Sequence, residues 1–146
     1  MKNFSRLLKK HAGFTLLELL VVISLIGILV ALGTVSYTTA QQKARNAKRR
    51  GDMKAWAAAL EQYNADHSSQ YIASCNPGSP YLTTGAVPTD PKPPAAYTSS
   101  CTTSAFCICA ALEPNTSTDG NSSAVADATC TGLSGSGAYF CVKSQQ

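Results

Sequence analysis

Cysteine is missing from the first half of this 146-residue chain: all six cysteines lie between positions 75 and 141. None of them forms a C-x-x-C pair, and the two histidines, His11 and His67, lie outside the cysteine-rich part. That pattern excludes the usual zinc-ligand spacings. An even count confined to one part of the chain instead predicts a disulfide framework in an oxidising compartment. Proline is absent from Phe14 to Asp66, so nothing there forbids one long helix. Acidic residues are absent from the first 17 positions. No glycine-rich phosphate loop, G-x-S-x-G or H-E-x-x-H occurs. The acids Asp90, Glu113, Asp119 and Asp127 are scattered without a repeat that would argue a glycosidase pair. His67, beside Asp66 at a predicted helix end, reads as a solvated or capping residue. The chain is expected to be a building block that needs no cofactor and no metal, not an enzyme.

Charge of one sign is concentrated rather than abundant. The formal net charge is +4, but four basic residues (Lys2, Arg6, Lys9 and Lys10) precede Gly13, and all eight acids follow it. Without residues 1–13 the chain is formally neutral, so overall basicity is no argument for nucleic acid. What remains is one crowded segment: Lys43, Arg45, Lys48, Arg49, Arg50 and Lys54, opposed only by Asp52. It reads either as a solvated helix face packing on acidic neighbours or as a DNA contact through Lys43, Arg45, Lys48, Arg49 and Arg50.

The stretch that organises the chain is Gly13-Phe14-Thr15-Leu16-Leu17-Glu18-Leu19-Leu20 and the apolar run that follows to about Tyr37. As a helix, Phe14 to Ser36 spans roughly 34 Å at ~1.5 Å per residue, enough to cross a hydrocarbon core of ~30 Å. Glu18 sits near its start, and an ionisable group in such a span costs a few kcal/mol and usually marks a function. A secretory signal peptide places its small-residue cleavage site after the apolar region. Here Ala12-Gly13 precedes it.

The basic leader ending in Gly13, followed by Phe14-Thr15-Leu16-Leu17-Glu18-Leu19 and an apolar helix, resembles the type IV prepilin family with its class III leader. That family comprises type IV pilins and the pseudopilins of secretion and DNA-uptake machines. Gly27 falls where the family commonly has a small residue. The resemblance implies cleavage between Gly13 and Phe14 by a prepilin peptidase that also methylates the new amino terminus of Phe14. It further implies pairing of Glu18 with a neighbour's amino terminus during assembly on an inner-membrane platform. Partners would then be membrane lipid before assembly and other copies of the chain afterwards. The expected location is the cytoplasmic membrane, amino terminus inside, and then an extracellular or periplasmic filament. The leader's charge agrees with that orientation, whereas the basic segment 43–54 on the far side opposes it, so charge counting alone leaves it undecided. The expected function is a structural subunit of a pilus-like filament. The alternative is a pseudopilin of a type II secretion or DNA-uptake machine, with segment 43–54 touching DNA. A membrane-anchored domain with no filament role is the third reading, and the leader argues against it.

Beyond the membrane span, Met53, Trp56, Ala57, Leu60, Tyr63 and Asn64 recur at helical spacing, with Arg49, Asp52, Glu61 and Asp66 assigned to other faces. A helix from Phe14 to Asp66 would be roughly 80 Å long, so only its second half can pack on the chain's own core. It should end near His67-Ser68-Ser69. The proline that family pilins often carry is replaced by Val35, and Gly33-Thr34, with Ser36 and Thr38-Thr39, is the weak point, each glycine costing about 1 kcal/mol relative to alanine.

Residues 74–104 read as ordered loop. Within them, Val87-Pro88-Thr89-Asp90-Pro91 and Tyr97 resemble an element of major pseudopilins. Lys92-Pro93-Pro94 departs from it, which counts against the calcium role of that loop in secretion pseudopilins and makes a proline-rich turn the expectation for Asp90. Strands are predicted at 105–112 and 138–142, with 114–137 as a hairpin-like connection or surface loop. Cys107 and Cys109 should share one strand face and bridge to different partners. Chain proximity suggests Cys75–Cys101 and Cys130–Cys141, two pairs that together would force Cys107 onto Cys109, so at least one of them is expected to fail. The predicted architecture is α+β: a long helix, membrane-spanning in its first half, packed by its second half on a small disulfide-bonded antiparallel sheet. The predicted divisions are 1–13 (leader), 14–36 (membrane and assembly), 37–67 (amphipathic) and 68–146 (cysteine-rich).

Overall fold

The computed structural model describes residues 13–114, 118–123, 125–126, 130 and 133–145. The leader's basic residues and Asp127 lie outside the described residues. One helix, α1 (Leu16–Asp66, 51 residues), is followed by five strands: β1 (Thr98–Cys101), β2 (Phe106–Ala111), β3 (Gly120–Ser122), β4 (Leu133–Gly137) and β5 (Tyr139–Lys143). The fold is α+β. The chain divides at Thr38/Thr39 into two compact units.

In the first unit the helix is apolar on every side and its side chains are exposed, Leu16, Leu29 and Leu32 among them. It is long and apolar enough to cross a membrane. The hydroxyls it carries are returned to its own backbone: Ser24 Oγ donates to the Val21 carbonyl at 2.8 Å and Thr34 Oγ1 to the Ala31 carbonyl at 3.0 Å. Polar groups satisfied within the segment are what an apolar solvent requires. The helix runs on without interruption through Gly27 and Gly33.

In the second unit α1 becomes one-sided. Met53, Trp56, Ala57 and Leu60 are buried, and they pack with Tyr71, Cys75, Phe106, Ile108 and Ala110 in one core. The last three alternate along β2, so one face of the sheet meets the helix. Trp56 Nε1 donates to the Cys75 carbonyl at 2.7 Å, which satisfies the indole where its ring is buried. The helix stops where Ser68 and Ser69 adopt positive φ (56° and 62°), and the Ser69 N–H closes on the Asn64 carbonyl at 3.0 Å.

The sheet is antiparallel throughout, in the order β1-β2-β5-β3-β4. β2 and β5 lie within or beside the predicted segments. β1 falls in a stretch expected to be loop, and β3 and β4, which pair antiparallel, fall in the stretch read as a hairpin-like connection or surface loop. They are rich in Ser, Thr and Gly, and their pairing is imposed by neighbouring strands rather than by their own propensity. Cys107 and Cys109 occupy the sheet face away from the helix, clustered with Cys130 and Cys141. The bridges are Cys75–Cys101, Cys107–Cys130 and Cys109–Cys141. Of the two pairs that chain proximity suggests, Cys130–Cys141 is therefore not formed. Cys141 stands opposite Cys109 across the β2–β5 ladder, a registered position that proximity along the chain does not reveal.

Candidate functional site

The amino-terminal site is built by α1 itself. Thr15 immediately precedes the helix and Glu18 is its third residue, the T-x-x-E spacing of a capping box. The Glu18 N–H donates to Thr15 Oγ1 at 3.2 Å, and the Thr15 N–H reaches back to Glu18 Oε2 at 3.0 Å. The Thr15 hydroxyl also donates to Glu18 Oε2, at 3.0 Å. Two orphan donors of the helix start are thus satisfied reciprocally, and the carboxylate points back toward residues 13–15. Gly13 lies just outside the helix and Phe14 is 84 % exposed. Sequence reasoning found Glu18 but missed Thr15 as its partner, although the spacing itself carries that signal.

A second cluster lies in the outer unit. Arg49 is buried, with only 3 % of its side chain exposed, and it grips Asp90 with two hydrogen bonds: Nε to Oδ2 at 2.7 Å and Nη2 to Oδ1 at 2.8 Å. The same Nη2 lies 2.8 Å from Glu113 Oε1. Arg45 holds Glu113 in a second fork at 3.0 and 2.7 Å, and Lys92 Nζ adds a contact to Glu113 Oε2 at 3.2 Å. Asn46 fixes the backbone of Glu113 from both sides, donating to its carbonyl at 2.7 Å and accepting from its N–H at 2.9 Å. Planar guanidinium forks suit this bidentate work. The hydrogen bond from Arg45 leads the effects that pull the Glu113 carboxyl down to about 2 against its burial. Burial pushes Asp90 upward, but the hydrogen bonds from Arg49 and from the Lys92 N–H outweigh it and leave the carboxyl below its ordinary value. Nearby, Tyr97 donates to Asp52 Oδ2 at 2.6 Å, and burial together with that bond drives its phenol well above the ordinary range.

One expectation is corrected here. Arg49 does not sit on a solvated face: it lies four residues before Met53 and seven before Trp56, at the head of the buried stripe, and that spacing was the available signal. Asp90 sits in the proline-rich turn, and its carboxylate is buried there. Of the acids scattered along the chain, Asp90 and Glu113 meet on one guanidinium. The DNA reading loses most of its residues in consequence. Arg49 is inaccessible, Arg45 is committed to Glu113, and Arg50 donates to the Asp119 carbonyl at 2.7 Å with its guanidinium 5.7 Å from the centre of the Phe140 ring. Lys43 and Lys48 are left exposed.

The donor set around Asp90 also speaks to calcium. Every carboxylate oxygen of Asp90 and Glu113 already accepts from a cationic or backbone N–H donor, and three basic side chains face two carboxylates. A divalent ion needs several uncommitted oxygens and net negative charge. These residues do not fit one.

The amino-terminal site is thus a capped start to an apolar, exposed helix. Residues 8–34 match the family model for the prokaryotic N-terminal methylation motif. The chain is also 39 % identical over 59 residues to the type II secretion system core protein G of Pseudomonas aeruginosa, covering 40 % of this chain and 42 % of that protein. It thus spans well under half of the relative's length. No solved structure matches the chain. In its motif and in the 59 residues shared with this relative, the chain is similar to proteins of the type IV prepilin family.

Proposed function

We propose that the chain is a structural, non-enzymatic subunit of a type IV pilus-like or type II secretion-like filament, inserted in the cytoplasmic membrane with its amino terminus inside. In this reading a prepilin peptidase removes residues 1–13 and methylates Phe14. Residues 14–36 anchor the subunit in lipid and then stack against other copies on an inner-membrane platform. Residues 37–67 carry the cysteine-rich part, 68–146. The observation that carries the reading is the Thr15–Glu18 box directly after Gly13, at the head of an exposed apolar helix. The relative's name favours the secretion branch over the pilus branch.

The mechanism is electrostatic. Cleavage places an ammonium group on Phe14, and a neighbour's Glu18 is its natural counter-charge. Opposite charges ~4 Å apart attract by roughly 4 kcal/mol at an effective dielectric of 20. Leaving either unpaired in hydrocarbon is costly. Thr15 satisfies part of the carboxylate's demand before assembly, so the ammonium adds to an already oriented group. Stacked apolar faces supply most of the cohesion and the ion pair sets register.

The test compares sheared-filament yield with total membrane-bound protein. Glu18→Leu is expected to insert, to be cleaved to a chain beginning at Phe14 by intact mass, and to give no filaments. Glu18→Asp, one methylene shorter, should be partly defective. Normal filament yield from Glu18→Leu refutes the pairing, and a mature chain retaining Lys2 to Gly13 refutes the prepilin reading as a whole.

A further inference from the structure

We propose that Arg49 is a built-in cation for the proline-rich loop around Asp90, fixing that loop against α1 in place of a divalent ion and making the anchoring of that loop indifferent to calcium. The inference concerns the folded outer unit and stands whether or not the chain assembles.

Asp90 stands in the Pro88-Thr89-Asp90-Pro91 turn, a segment with little apolar side chain to hold it down. Cavities of about 440 and 270 Å³ are both lined by Val87, Pro88 and Thr89. Packing is therefore incomplete around this stretch, and a polar anchor supplements it. That anchor is the two-point grip of Arg49 on Asp90. The Lys92 N–H, donating to Asp90 Oδ1 at 2.8 Å, closes the turn on the same carboxylate.

The guanidinium also does what makes a multivalent ion useful: it joins two segments distant in sequence. Asp90 and Glu113 both lie 2.8 Å from Arg49 Nη2, so residues 88–92 and the residue after Leu112 are tied to one helical position. Arg45 and Lys92 complete the neutralisation of Glu113. A bound ion of charge +2 placed here would face three fixed positive charges at hydrogen-bonding range. Like charges disfavour it, and it could not gain a carboxylate oxygen without displacing a guanidinium donor. Unlike a bound ion, a covalently attached cation cannot be lost by dilution or chelation.

The test uses the full-length protein in detergent micelles and needs no variant for its first arm. Limited proteolysis of the wild type within residues 86–97 should run at the same rate in millimolar calcium and in excess chelator. Protection of residues 86–97 that rises with calcium overturns the proposal.

The second arm substitutes the cation. Breaking a buried pair from one side should lower Tm by about 10 °C or more, so Arg49→Met is expected to do so equally in calcium and chelator, with faster proteolysis within residues 86–97. Should that variant fail to fold, Arg49→Lys keeps the charge but loses the fork and should show a smaller loss of the same kind. A wild-type Tm and wild-type proteolysis in either variant would overturn the role given to Arg49.

Discussion

At the scale of single residues, the outer unit depends on charges that must remain charged. Glu113 accepts from two guanidinium groups and an ammonium, and its carboxyl is held at about 2 against an ordinary 4.5. A folded-state value below the unfolded one means that the native state resists protonation. The stabilisation is therefore complete above pH 4.5 and is lost as the pH falls toward 2. Asp90 shifts in the same direction and adds to the same acid limb. Stability measured by denaturant melts is expected to fall steeply through that window. Glu113→Gln should lower stability at neutral pH and flatten the fall, since one of the groups responsible can no longer titrate. An acid limb as steep in Glu113→Gln as in the wild type would show that the carboxylate does not carry it.

At the scale of elements, what was legible depended on whether the cause was local. The helix is written in its own residues: no proline, an all-round apolar half, then Met53, Trp56 and Leu60 at helical spacing. The Phe106–Ala111 and Tyr139–Lys143 strands carry their own aromatic and branched residues and were legible for the same reason. Thr98–Cys101, Gly120–Ser122 and Leu133–Gly137 were not, because their strand character comes from the partners beside them. The ionic cluster was hidden for a related reason. Arg49, Asp90 and Glu113 are 41 or more positions from helix to carboxylate, and only the fold brings them together.

The glycines of the short strands show how such pairing is permitted. A Cβ at Gly137 would run into the Ser122 carbonyl, and one at Gly120 into the carbonyls of Tyr139 and Gly137. These obstacles are backbone and cannot swing aside. Gly137→Ala is expected to cost about 1–3 kcal/mol and to lower amide-exchange protection in β3 and β4. Gly51→Ala, whose added methyl meets nothing within 4 Å in the middle of α1, should be stabilising by up to ~1 kcal/mol. Equal effects from the two substitutions would refute the close-approach argument.

At the scale of the whole molecule, the division at Thr38/Thr39 separates two kinds of stability. Among its described residues the first unit contributes none to the buried core, and its large apolar side chains, Phe14, Leu16, Leu29 and Tyr37 among them, are exposed. The second contains all three disulfides, the buried core and the complete ionic cluster. Among its described residues only Val125, half exposed, is a large hydrophobic left outside. Apolar surface is what drives association in water, and here nearly all of it belongs to the first unit. A chain beginning at Thr39 should therefore fold as a soluble monomer, without detergent, and melt cooperatively. Its bridges carry much of that independence, because a domain of roughly a hundred residues has a modest core and each native bridge typically contributes ~2–5 kcal/mol. Size-exclusion chromatography, thermal melting and peptide mapping of the unreduced protein test this together. The expected outcome is a monomer with the Cys75–Cys101, Cys107–Cys130 and Cys109–Cys141 pairs, and loss of the cooperative transition on reduction. Aggregation or a non-cooperative melt of the oxidised chain would mean that the first unit is needed for folding, and the assignment of all folding stability to residues 39–146 would fall.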